Sequence, residues 1–192
     1  MKKFRILSLI AMFSGVATIA FAAQAQDYSN AMKVFRDSPV VSKFFKDSYG
    51  YAIFPTIGKA GFVVGGSYGD GQVYRGGKAT GKTSVVEGSI GLQIGAEAFS
   101  EMIFFQNKQA YDKFTSGSFE FDATAQAVVI TAGVDAQAGT TGSSAGATAG
   151  PKTESQVTHG YMNGMATFVH AKGGLMAEMS LGGQKFSFTP YK

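Results

Sequence analysis

Between Gly50 and Phe105, short β-like runs alternate with glycine at close intervals. The chain reads Gly-Tyr-Ala-Ile-Phe-Pro from residue 50, Gly-Lys-Ala-Gly-Phe-Val-Val-Gly-Gly-Ser-Tyr-Gly over 58–69, and Gly-Ser-Ile-Gly-Leu-Gln-Ile-Gly-Ala-Glu over 88–97. Glycine inside a strand weakens it and leaves nothing to pack, so it recurs where backbones bend, bulge or approach closely. This stretch therefore predicts a tightly coiled antiparallel sheet or a small barrel.

The first residues read as a leader. Lys2, Lys3 and Arg5 precede a charge-free apolar run, Ile6 to Ala22, and Ala23-Gln24-Ala25 fits an A-x-A cleavage site. That is the pattern of a secretory signal peptide over 1–25, with cleavage after Ala25 or after Ala22. The alternative is a retained anchor, because the run is near the roughly 18-residue length that spans a bilayer. Removing Lys2, Lys3 and Arg5 takes the net charge from +4 to +1, so the basic pI belongs largely to the leader and is no argument for nucleic acid. The chain has no cysteine, which excludes disulfides, thiolate metal sites and a lipoprotein lipid anchor. The expected location is exported, either periplasmic or peripheral on an envelope membrane. Residues 26–192 suffice for one domain with a sizeable core.

Asp27 to Ser48 predicts two short amphipathic helices broken near Pro39. Tyr28, Ala31, Met32, Val34 and Phe35 share one arc, with Lys33 and Arg36 opposite; Val40, Val41, Phe44 and Phe45 face away from Lys43 and Lys46. Tyr51 to Phe54 is a short strand candidate ended by Pro55. Gly69-Asp70, between Ala60–Tyr68 and Gly71–Arg75, is a hairpin signal. From Val86 to Ala96 every second residue is apolar or glycine, with Glu87, Ser89, Gln93 and Glu97 on the other face. Phe99–Phe105 is a further strand, and Asn107–Ser116 a helix capped by Asn107 and stopped at Gly117. Phe119–Val134 is a long β-like run. Ala136–Lys152, rich in Ala, Gly, Ser and Thr, predicts a mobile loop. Val157–Ala171, Leu175–Leu181 and Gln184–Thr189 return to strand character, with a turn at Gly182-Gly183.

Two strings mimic catalytic motifs. Gly76-Gly77-Lys78-Ala79-Thr80-Gly81-Lys82-Thr83 fits the P-loop pattern, but that chemistry needs a helix after the loop, and residues 86–96 have a period of two. Gly65-Gly66-Ser67-Tyr68-Gly69 fits the nucleophile elbow, which also needs a following helix and a histidine base. His159 and His170 are the only histidines, eleven residues apart and without a metal-ligand pattern. The reading is no enzyme, no catalytic residue, no metal site, no cofactor, no nucleotide and no nucleic acid. Arg75, Lys78 and Lys82 instead fall together on a proposed glycine-lysine hairpin tip, with no acidic residue between them.

The motifs at 50–55, 58–69 and 91–97, with Gly173-Gly174 before Leu175 to Gly183, resemble the SYLF lipid-binding domain in its exported bacterial branch. The resemblance covers roughly residues 30–190. It implies binding of phosphoinositides and other anionic lipids, a link to actin in eukaryotic relatives, and no catalysis. By position it points to the basic residues of the N-terminal helices, Lys33, Arg36, Lys43 and Lys46.

The expected fold is α+β: a mostly antiparallel curved sheet or small barrel, with N-terminal amphipathic helices at its edge and one short helix near 107–116. The expected function is non-enzymatic binding of anionic phospholipid at the bacterial envelope through Lys33, Arg36, Lys43, Lys46, Arg75, Lys78 and Lys82. The alternatives are a periplasmic structural or protein-interaction module with an envelope protein partner, and a transmembrane barrel.

Overall fold

The structure, a computed structural model, describes residues 27–61, 64–90, 95–122, 125, 127–130, 160–172 and 182–192. The leader expected over 1–25, the loop expected at 136–152 and the strand expected at 175–181 lie outside these residues. Helix α1 covers 27–37, followed by α2 (Pro39–Ser42), α3 (Phe44–Asp47) and, later in the chain, α4 (Lys108–Phe114). The strands are β1 (Gly50–Gly61), β2 (Val64–Arg75), β3 (Lys78–Ile90), β4 (Gly95–Phe105), β5 (Ser118–Glu120), β6 (Val128–Ile130), β7 (Met165–Lys172) and β8 (Lys185–Pro190).

All eight strands form one sheet in the order β5-β8-β3-β2-β1-β4-β7-β6, antiparallel throughout except for β6 against β7. The sheet is curved and unclosed, because no ladder joins β5 to β6 among the described residues. Its curvature follows from chain length. β5 and β6 are opposite edges, seven strand spacings apart, or roughly 34 Å if flat. Glu120 to Val128 is eight residue steps, at most about 28 Å when fully extended. The edges must therefore curl toward each other. The Phe54 and Phe186 rings meet at 5.5 Å although β1 and β8 are three places apart in the order.

The curl creates a concave side. Ala52, Phe54, Ile57, Val73, Val85, Phe99, Ile103, Phe105 and Phe186 are buried there, and α4 adds Ala110, Tyr111 and Phe114. The other side of β1, β4 and β7 carries Tyr51, Ile53, Met102, Phe104, Ala166 and Phe168, packed under Ala31, Phe35, Val41 and Phe44 of α1–α3. The N-terminal helices thus lie over the sheet's central strands and not at its edge. A transmembrane barrel needs a closed sheet with an outward apolar band facing lipid. Here the corresponding face of the central strands is occupied by helices.

Several local expectations change. Gly69-Asp70 is no hairpin: β2 runs straight through it, with Asp70 opposite Ser84 and Gly69 opposite Ile57. The turn forms at Gly76-Gly77, whose φ values of +57° and +78° suit the paired positive φ of a type I′ turn, with Arg75 facing Lys78. Pro55 does not end β1; the register slips between Ile53 and Thr56, and this bulge accommodates a residue without an N–H. In β3 the buried phase is Thr83 and Val85, while Val86 is 46% exposed, so the alternation from Val86 is inverted. It was weighted by glycines, which have no side chain to bury. Residues 91–94 of that run lie outside the described set. The run from Phe119 divides into β5 and β6 on opposite edges, while 131–134 lie outside the described residues. Helix α4 forms as expected, the Asn107 side chain accepting from the Ala110 N–H at 3.0 Å.

Glycine is required where strands meet aromatics. A Cβ on Gly71 would stand 2.6 Å from the Phe54 ring and 2.7 Å from the Ile53 carbonyl oxygen, whereas one on Gly88 meets nothing within 4 Å. Gly71→Ala is expected to destabilise the protein by about 1–3 kcal/mol. Gly88→Ala should be neutral or stabilising by about 0.5 kcal/mol. Urea unfolding of the two variants checks both, and equal effects would mean that the close contact at Gly71 does not constrain the fold.

Candidate functional site

The basic residues singled out above separate into two groups by what holds them. Lys33 and Asp37 pair one turn apart on exposed α1. The Arg36 guanidinium lies 5.2 Å above the Phe45 ring and close enough to the Tyr51 hydroxyl to act on it. Burial raises the Tyr51 pKa, and Arg36 opposes that rise. The Lys43 ammonium sits 5.3 Å from the Phe44 ring centre, and Lys46 is exposed on α3. The aromatic bodies under these cations belong to the core beneath α1–α3.

The second group surrounds the β2–β3 turn. Arg75 lies 5.5 Å over the Tyr111 ring of α4, and Lys78 faces it across Gly76-Gly77. Lys82 is not on the tip. It sits within β3 opposite Gln72, whose side chain donates to the Tyr191 hydroxyl at 3.0 Å.

Register gathers most of these residues at one end of the sheet. Gly50, the first residue of β1, faces Arg75 on one side and Phe105 on the other. The Tyr49 N–H donates to the Phe105 carbonyl, which ties the exit of α3 to the approach of α4. α4 contributes Lys108, paired with Asp112 and close enough to Arg75 to feel its charge, and Lys113, 5.5 Å from the Phe119 ring. Arg36, Lys46, Arg75, Lys78, Lys108 and Lys113 therefore share one end, with Lys43 and Lys33 beside it. Sequence reasoning left out Lys108 and Lys113. Their helix was legible, but its position against the 76–77 turn depends on long-range register.

Polar side chains interrupt the concave side, with Ile57 and Phe99 buried between Glu101 and Lys59. Glu87 accepts from the Ser67 hydroxyl at 3.2 Å and stands 3.9 Å from Lys59. Ser67, the serine of the elbow pattern, is thus a buried strand residue in a polar row. Glu101 is fully buried, and one of its oxygens accepts from the Gln184 side chain at 3.3 Å. Burial, with a smaller push from Glu87, raises the Glu101 carboxyl from 4.5 to about 8, partly offset by Gln184. His170 Nδ1 lies 3.3 Å from the Ile130 carbonyl, and His159 is outside the described residues. The lysine-threonine end of the P-loop string enters β3, a strand where phosphate binding needs a helix. Among the described residues, no group of three or more His, Asp or Glu could hold a metal ion. A cleft of about 50 Å³ opens where Phe119, Phe121 and Lys113 approach Met165 and Thr167, a volume suited to a few waters.

The family described as "Ysc84: Las17-binding protein actin regulator" matches residues 86–190, more than half the chain. The chain belongs to the Ysc84 family. This is the SYLF family that the glycine-rich motifs resemble. The match runs from β3 to the end of β8 and so takes in α4 and Glu101. The family is one of binding domains, linked to lipid and actin binding and not known for catalysis. No curated protein matches the chain.

Glu101 gives this Ysc84-family domain a pH signature. With a folded-state pKa of about 8 against 4.5 ordinarily, the folded protein keeps a proton that the unfolded chain has released. Stability then falls as pH rises from about 4.5 to about 8, at up to about 1.4 kcal/mol per pH unit. Glu101→Gln keeps a neutral side chain beside Gln184 and removes that loss. Its melting temperature should exceed wild type by a margin that widens with pH across this window. A constant margin would show that Glu101 is ionised in the folded protein throughout.

Proposed function

We propose that this Ysc84-family domain is exported and binds anionic phospholipid at the bacterial cell envelope, as a periplasmic or peripheral protein without catalytic activity. The convergence of Arg36, Lys46, Arg75, Lys78, Lys108 and Lys113 at one end of the sheet carries the reading. Asp37 and Asp112 are each paired with a lysine of their own helix, and Asp47 stands beside Lys46 at the end of α3. Each basic residue near an anionic surface contributes about 1 kcal/mol at low salt, and screening weakens the sum. Lys33 and Lys43 flank this end, and Lys82 extends the charge along β3. The phosphoinositide preference of the family translates here to a general preference for clustered phosphate.

A second reading, a protein-interaction module, rests on a different surface. Tyr68 and Val86 face each other across β2 and β3, 55% and 46% exposed, beyond the area that α1–α3 cover. This pair offers an apolar contact for an envelope protein.

Co-sedimentation with vesicles separates the readings, using protein expressed from the full-length sequence and purified in the form the cell accumulates. Binding is expected to phosphatidylglycerol vesicles and not to phosphatidylcholine, and to weaken at high salt. Combined Arg75/Lys78/Lys108/Lys113→Glu substitution should reduce it at least tenfold, while Lys192→Glu should leave it intact. Lys33/Arg36/Lys43/Lys46→Glu reports the share carried by the helices. Wild-type protein that ignores anionic vesicles at low salt would defeat the lipid reading and favour the Tyr68–Val86 surface.

A further inference from the structure

Two arginines lie among the described residues, Arg36 and Arg75, and they are held differently. Arg75 ends β2, beside the turn whose two glycines have positive φ, and faces Lys78 across it. Its guanidinium lies 5.5 Å over the Tyr111 ring. That ring is 7% exposed and fixed from several directions. Tyr49 packs against it edge-on at 5.6 Å and Phe105 at 5.8 Å, and its hydroxyl donates to Thr80 Oγ1 at 2.9 Å. Thr80 in turn donates to the Val73 carbonyl at 3.2 Å. The plate under Arg75 is therefore tied by hydrogen bonds to β2 and β3, the strands that carry the turn.

None of the ion pairs among the described residues includes Arg75 or Lys78, and both side chains belong to exposed residues. Lys108 is close enough to Arg75 to feel its charge, and the one carboxylate beside Lys108 is its own partner Asp112. The turn thus sets three cations against that single acid. The other carboxylates of this end are engaged elsewhere. Asp47 acts on Tyr161, Glu120 pairs with Lys185, and Asp122 lines the cleft with Lys113. Arg36 differs from Arg75: it lies over Phe45 and acts on the Tyr51 hydroxyl, so part of its hydrogen-bonding edge is already in use.

A lysine meets a charged surface as a point charge, whereas the planar guanidinium matches two oxygens of one phosphate. A guanidinium already resting on a fixed ring loses little further freedom when it binds. We propose that Arg75 is the specificity-determining residue of the basic end, taking two oxygens of a single lipid phosphate from its seat on Tyr111, with Lys78 and Lys108 flanking that phosphate. The remaining cations supply screened attraction. Tyr111 is a positioning residue, acting through Arg75. The proposal rests on the lipid reading above and adds one fixed contact to it.

Arginine occurs in the chain at positions 5, 36 and 75, so the side-chain Nε–H spectrum holds few signals and substitution assigns them. With the protein as the cell accumulates it, this spectrum is recorded as bicelles containing phosphatidylglycerol are added. The Arg75 signal should shift and its exchange with water should slow, with a smaller change at Arg36. In Tyr111→Phe, which keeps the ring but frees it from Thr80, the slowing at Arg75 should be partly lost while Arg36 responds as before. Co-sedimentation with phosphatidylglycerol vesicles then compares wild type with Arg75→Lys, which keeps the charge and removes the fork. Arg75→Lys should bind about tenfold more weakly. Its salt dependence and melting temperature should match wild type, because the charge count and the core are the same. Arg75→Lys binding like wild type, or equal changes at Arg36 and Arg75, overturns the fork and leaves the lipid reading standing as diffuse attraction. Wild-type protein that ignores the vesicles at low salt removes both readings together.

Discussion

The short path from Glu120 to Val128 governs the rest of the structure. It joins the two edges of an eight-stranded sheet with too little chain to cross a flat one, so the sheet curls. Once it curls, side chains on its concave side meet across strands that are not neighbours. Phe54 reaches Phe186, Phe114 touches Phe105 and Phe186, and Gln184 reaches Glu101. Space inside is limited, and glycines such as Gly71 and Gly81 supply it where a Cβ would collide with an aromatic ring. The glycine-interleaved stretch and the tight curl are thus one fact seen in sequence and in space.

The same curl leaves the central strands with two buried faces. That explains the continuous apolar runs Tyr51–Phe54 and Met102–Phe105, where a half-exposed strand would alternate. Helices α1–α3 cover the second face and spend their apolar arcs on it. Releasing Phe35, Val41 and Phe44 to enter a bilayer would give up roughly 1.5–3 kcal/mol of burial each and regain a similar amount in lipid, with no net gain. What α1–α3 offer outward without unfolding is charge, with Arg36 and Lys43 resting on rings that the core already holds.

Elements defined by local signals were legible in the sequence. Asn107 and Gly117 bounded α4 because a cap and a stop act within one turn. The N-terminal helices were legible through periodicity, and the strand at Phe99–Phe105 through its apolar run. Features decided by register were not. Gly69-Asp70 carries hairpin chemistry, yet β2 continues through it because Gly69 and Gly71 are needed flat against β1. Val86 fitted an apolar alternation, but Val85 takes the core. Lys82 follows the turn closely in sequence and stands away from it in the sheet. Lys108 and Lys113 carried no linear hint of joining Arg75, since that meeting depends on the Gly50–Arg75 and Gly50–Phe105 pairings.

The concave side also changes character along its length, and this bears on orientation. Near α4 it is packed with Phe105, Phe114, Phe119 and Phe186; farther along β1–β4 it holds Lys59, Ser67 and Glu87, with Glu101 on the way between Ile103 and Phe99. The aromatic end is plugged by α4, and it is the end that gathers the exposed cations. Between the two, burial keeps the Glu101 carboxyl largely protonated near neutral pH, with a smaller push from Glu87. A surface that holds cations in fixed geometry is best built over dense aromatic packing, where backbone and ring positions are over-determined.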